Sequence, residues 1–279
     1  MEKTNIRRLV GVMMPFVIMV IFQRLLLVLA GMSGLPDVIG STLAFLTASA
    51  GGIFFFRMSC GAEALRPGMQ TQPEPETDGE SGGKENTVPP FPAKDTLFGR
   101  LMYALSGVGV LTAMMYAVTA AVGTETVSAF APGTLAAEFV SLILIHPFLE
   151  EYIFRWLYYR ELRPMQPIFA GLTQAVMFAI VHGSVGGMIY ALFAGIVLVL
   201  ITELSGSLSA AVIAHMLMNL RSFVYLTWLT EAEQVRLIPD LVLISVGFAA
   251  MLCLLVRRGL REARAGAGET EDGGENDDD

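Results

Sequence analysis

Two adjacent glutamates and an arginine stand inside one of the most apolar stretches of this chain, "AAEFVSLILIHPFLEEYIFRWLYYRELRP", residues 136–164. Glu151 and Arg155 are four apart, so on a helix they share a face and can pair. Glu150 points about 100° away and is left to act as a base or a ligand. Two further segments carry polar groups at helical spacing. "FAIVHG" sets His182 one turn after Phe178, and "HMLMN" sets Asn219 one turn after His215. The third histidine, His146, lies one turn before Glu150, where it can be a secondary partner. A carboxylate and two imidazoles projecting inward from three helices can polarise a water in two ways. They can hydrogen-bond it, with Glu150 as general base. Or Glu150, His182 and His215 can ligate a divalent metal such as zinc, whose bound water is acidic near neutral pH. Either way the water adds to an amide carbonyl, and Asn219 can stabilise the oxyanion. Taken singly, each group also has a plain reading: a helix-end ion pair, a hydrogen-bonded interfacial histidine, a packed His–Asn pair.

These residues need elements that hold them in oil. The chain of 279 residues is 54% hydrophobic and 16% charged, where soluble domains carry about 45–50% and about 25%. Its mean hydropathy is +0.59. The apolar residues come in blocks near the roughly 20 residues that a spanning helix needs. The composition predicts an all-α fold, a polytopic transmembrane bundle of about eight helices. The short alternating segments of a membrane barrel are missing from the sequence. Ionisable groups at a bilayer centre cost about 2.5–3.5 kcal/mol each, which makes the few present candidates for function.

The candidate spans are 9–30, 38–56, 101–122, 134–149, 166–183, 187–204, 208–225 and 237–256. The fourth is short and ends at the glutamates. Short links such as "HGSVGG" and "ELSGSLS" imply tight antiparallel packing of the fifth, sixth and seventh. The basic N-terminus precedes an apolar run far longer than the 7–15 residues, or about that, of a signal-peptide core, so the run reads as a retained first span. Four regions follow: 1–58, two N-terminal transmembrane helices; 59–98, a cytoplasmic loop; 99–258, a six-helix core; 259–279, an acidic tail. The loop is rich in Pro, Gly, Glu and Thr, and with the tail it reads as disordered because it lacks apolar surface to bury.

The net charge of −8 sits largely in the loop and tail and implies no nucleic-acid partner. Cys60 and Cys253 form no CxxC pattern and read as unpaired thiols. With the N-terminus inside, every Lys and Arg except Arg24, Arg221 and Arg236 falls on the inner side, Arg155 being counted there with Arg160 and Arg163. That asymmetry predicts a multi-pass protein with both termini cytoplasmic.

At the three motifs the sequence resembles the CPBP (CAAX protease and bacteriocin-processing, or Abi) family of intramembrane proteases, which includes the endoplasmic-reticulum enzymes that trim prenylated CAAX proteins. "EEYIFR" resembles the first family motif, "FAIVHG" the second and "HMLMN" the third, within residues 134–225. The resemblance implies an eight-helix bundle with its site opening toward the cytoplasm. It implies that Glu150 activates water with His182, that His215 and Asn219 form an oxyanion site, and that Glu151 and Arg155 brace it. It implies a membrane-anchored peptide or protein substrate, CAAX-like or a leader peptide. Two residues depart from the family pattern. Trp156 stands where a glycine often follows the motif arginine, and His146 where a small residue is common.

Other intramembrane proteases lack support in the sequence. It contains no HExxH and no GxGD, and "SGSLS" is only a loose match to a rhomboid serine setting. The competing class is a membrane scaffold or partner-binding protein of the same fold, catalytically silent. Glu150→Gln separates the two. The sequence leaves oligomeric state and substrate open.

Overall fold

The computed structural model describes residues 3–60, 96–122, 132–228 and 233–271. These residues form eight helical rods: α1 Lys3–Met32, α2 Asp37–Cys60, α3 Leu97–Val122, α4 over 135–162, α5 Pro167–Ile180, α6 Val185–Ser205, α7 Leu208–Trp228 and α8 Glu233–Glu271. The fold is all-α. Six of the rods (α1, α2, α3, α6, α7 and α8) are long and apolar enough to cross a membrane, and α5 is a shorter apolar helix. Residues 61–95, the bulk of the expected loop, lie outside the described residues, as do 272–279 of the tail. Residues 259–271, expected as the start of that tail, continue α8 as helix.

The rods pack as α1 on α2, α3 on α8, α5 on α6, and α3 against α6 and α7. The most apolar window of α7 is 50% buried and that of α8 only 17%, so α7 is central and α8 lies at the edge. Two close approaches depend on glycine. A Cβ on Gly247 would sit 2.6 Å from the Cα of Gly109, so α3 and α8 touch backbone to backbone. A Cβ on Gly195 would sit 2.9 Å from the Cα of Ala175, which lets α6 press α5 and its Phe178 into the core. Gln174, fully buried, ties the same pair by donating to the carbonyls of Gly171 (2.9 Å) and Gly195 (3.0 Å). The links are as tight as their sequences predict. After α5 the chain turns at Gly183 with φ +77°, and Ser184 caps α6 by accepting from the amide of Gly187. Gly206, also left-handed, ends α6 before α7 begins.

The fourth rod corrects the sequence reading. The expected short span of 134–149 does not end at the glutamates, and the helix continues through them to Leu162. It alternates between α and π winding: α at Leu135–Phe139, π at Val140–Ile145, α at His146–Glu151, π at Tyr152–Tyr159 and α at Arg160–Leu162. Arg155, counted with the inner-loop charges, is fully buried within this rod. Charge usually marks the end of a span because water must solvate it. Here Glu151 and Arg155 balance each other's charge inside the protein, so the helix has no reason to stop.

Candidate active site

The first π turn is held by identifiable contacts. The amide of His146 bonds back to the carbonyl of Ser141, five residues earlier. In that register the next bond would run from the nitrogen of Pro147 to the carbonyl of Leu142, but proline has no N–H. A buried carbonyl without a partner is costly. The side-chain amide of Asn219, reaching over from α7, donates to Leu142 at 2.7 Å. A second tie comes from α2. Thr42 gives its own proton to the carbonyl of Val38, so its hydroxyl accepts from Ser141 at 2.7 Å. The wide turn is thus clamped from both sides directly before the catalytic candidates.

Past this turn, Glu150 and Glu151 are buried at 8% and 0% exposure. Glu151 faces Arg155, whose Nη1 lies 3.0 Å from Oε1 with both side chains wholly enclosed. The guanidinium also lies over the ring of Phe178 at 4.3 Å, a cation–π contact that strengthens when desolvated. The same oxygen of Glu151 contacts Nδ1 of His215 at 2.8 Å. A carboxylate accepts, so this nitrogen donates and the ring is held with Nε2 directed toward Glu150, 3.7 Å from its Oε2. The other oxygen of Glu150 lies 3.5 Å from Nδ1 of His146. Glu151 is therefore the structural acid, neutralised by arginine. Glu150 is the acid surrounded by imidazoles.

His182 completes the group from the turn that follows α5. Its Nδ1 lies 2.7 Å from the carbonyl of Phe178. A carbonyl only accepts, so Nδ1 carries the proton and Nε2 presents a lone pair. His182 lies within electrostatic reach of Glu150. Phe178 is the hub. Its ring meets His182 edge-on at 4.6 Å and His215 at 5.9 Å, beneath Arg155. The side chains of Glu150, Glu151, Arg155 and His215 thus converge, with His182 one aromatic ring away. Asn219, one turn beyond His215 on α7, spends one N–H on the carbonyl of Leu142 and has a second to give.

Sequence reasoning missed the stacking partner Phe45 of α2, whose ring lies parallel to His146 at 4.1 Å and 13°. An aromatic in an apolar run carries no signal of such a role. Phe178 was detectable, because its four-residue spacing to His182 places both on one face. Few donors are open to a resident metal. Nδ1 of both His182 and His215 is committed, which leaves the Nε2 atoms and Glu150 as donors. Among the described residues no three His, Cys, Asp or Glu side chains come together as a metal would require.

The bundle and its buried carboxylate–imidazole cluster define the class: a multi-pass helical membrane protein with a polar cluster enclosed among its helices. Residues 132–221 match the Rce1-like family, type II CAAX prenyl endopeptidases. This bears out the resemblance to CPBP intramembrane proteases read from the three motifs, all of which fall inside the match. No curated protein and no solved structure matches the chain.

Proposed function

We propose that this protein is an intramembrane endopeptidase, hydrolysing a peptide bond of a membrane-associated substrate of the CAAX or leader-peptide kind. One observation carries the reading: of two adjacent buried acids, one is paired directly with arginine and the other, Glu150, has imidazoles as its nearest ionisable partners. A scaffold needs the first acid and has no use for the second.

The residues divide the work as follows. A water held by Nε2 of His182 gives a proton to Glu150 as its oxygen bonds to the carbonyl carbon of the scissile peptide. The carbonyl π electrons move to oxygen, where the oxyanion is met by the second N–H of Asn219 and by Nε2–H of His215 in its doubly protonated form, Nδ1–H remaining on Glu151. Collapse of this tetrahedral intermediate breaks the C–N bond, and Glu150 returns its proton to the departing nitrogen. The products are a carboxylic acid and an amine. Glu151 and Arg155 hold His215 and Phe178 in place without touching the substrate. The substrate class is supported by the description of the matched family. The cytoplasmic placement of both termini is supported by the Lys and Arg asymmetry, which stands without Arg155.

The test uses full-length protein in lipid nanodiscs and an internally quenched farnesylated peptide with a CAAX end. The wild type cleaves it and Glu150→Gln does not, while the variant keeps its thermal unfolding temperature. Cleavage by Glu150→Gln at the wild-type rate would remove the base from the mechanism.

A further inference from the structure

We propose that His146 is a positioning residue of the same site, holding one oxygen of Glu150 so that the other faces the water, and that α2 supports it through Phe45. This rests on Glu150 being the base. Four observations meet here. Nδ1 of His146 lies 3.5 Å from Oε1 of Glu150, and Nε2 of His215 lies 3.7 Å from Oε2, so each oxygen has its own imidazole. The ring of His146 is stacked flat on Phe45, which fixes its plane and leaves its nitrogens pointing outward along that plane. Phe45 is anchored one helical turn away, where Thr42 meets Ser141 at the π turn. His146 itself closes that turn by bonding to Ser141 through its backbone, so the turn sets which way the ring leaves the helix.

The chemistry explains what such a contact supplies. A carboxylate with both oxygens loose rotates about its last bond, and its basic lone pair then points at the water for only part of the time. Fixing one oxygen aims the other. Misplacement by about 1 Å can cost on the order of a hundredfold in rate. α2 lies outside the matched segment 132–221, yet through Phe45 and Thr42 it takes part in arranging its catalytic acid.

His146→Phe separates this role from packing, because phenylalanine keeps the ring and the stack on Phe45 but has no nitrogen. Using the nanodisc protein and the same farnesylated peptide, His146→Phe should lower kcat by about tenfold to a hundredfold, with KM and unfolding temperature near wild type. His146→Asn, which restores a polar group, should recover part of the loss. Phe45→Leu should lower kcat less, and should add nothing in the His146→Phe background. A readout independent of substrate is at hand because the chain has three histidines. With 15N-labelled histidine, the ring resonances of His146 should move in Glu150→Gln and in Phe45→Leu. Wild-type kcat in His146→Phe, with Glu150→Gln inactive, would overturn this proposal and leave the protease reading standing. Activity in Glu150→Gln would overturn both. If the peptide is not cleaved at all, unmoved His146 resonances in Glu150→Gln would overturn the positioning role alone.

Discussion

Two buried charge clusters lie along α7, and they are built to opposite specifications. One turn and a half beyond His215, Arg221 meets Asp240 of α8 through both Nε (2.6 Å) and Nη2 (2.5 Å). Tyr225 donates to the same carboxylate oxygen as Nε, at 2.5 Å, and Tyr116 of α3 donates to the other at 2.6 Å. Each oxygen of Asp240 accepts two hydrogen bonds, and three helices are tied at one point. The cluster at Glu150 is different. Oε2 of Glu151 and all three nitrogens of Arg155 lack a well-formed hydrogen bond within the protein although they are buried. Glu150 keeps its imidazoles at 3.5 and 3.7 Å. A closed cluster has no bonding capacity left and can only hold the bundle together. An open one retains capacity that a water or a substrate can use, at a cost in stability that the closed cluster helps to offset.

The contrast breaks most readily at Glu150. Glu150→Gln should lower kcat by about 10²–10⁴-fold, the usual worth of a general base, and leave the unfolding temperature unchanged. A large fall in that temperature would put Glu150 with the structural group instead. The reverse pattern belongs to the clasp. Asp240→Ala leaves Arg221 uncompensated in the bundle and should cost about 3–5 kcal/mol. Denaturant titration in detergent should show the loss, while the folded fraction keeps its kcat. A smaller effect on the same side of the molecule is expected from Gly247→Ala, where the new methyl meets Gly109 and the carbonyl of Leu105. Overpacking of this kind costs about 1–3 kcal/mol, read as a lowered unfolding temperature at unchanged activity. The smallest expected effect is none. Because no triad of ligands converges among the described residues, EDTA or phenanthroline should leave peptide cleavage at its full rate. Loss of activity that zinc restores would show that the open cluster is completed by an ion.

Much of this organisation is legible in the sequence, for reasons that differ by region. The helices are visible because bilayer thickness imposes a length on every apolar block. The site is visible because ionisable groups in oil are rare enough to enumerate, and the 3.6-residue period pairs Glu151 with Arg155 and His215 with Asn219. What stays hidden depends on partners far along the chain. Arg155 looks like a loop residue until Glu151 and Phe178 are seen to enclose it. Asp240 follows a proline at the start of a span and reads as an interface acid, and nothing local announces Arg221, Tyr116 and Tyr225 around it. The π winding of α4 is hidden too, because Pro147 accounts for a missing N–H but not for the register that Asn219 rescues. The long reach from α2 to His146 has no periodicity at all.

The wide turn before Glu150 has a consequence for how this helix tolerates change. A π turn holds one residue more than the α-helix would use over the same distance. Removing a single residue between 140 and 145 would let ordinary winding resume, and the rod would keep its length in the membrane. The two sides of the deletion would keep their phase, because a full circle takes about one residue more in the wide winding than in the ordinary one. For a deletion at 143, 144 or 145 the carbonyl of Leu142 would then face the nitrogen of Pro147, which has no N–H, and Asn219 would still be needed to answer it. The spare residue is thus slack that the rod can lose without turning Glu150 away from His215, and the fixed point of this stretch is the proline together with the amide that compensates for it.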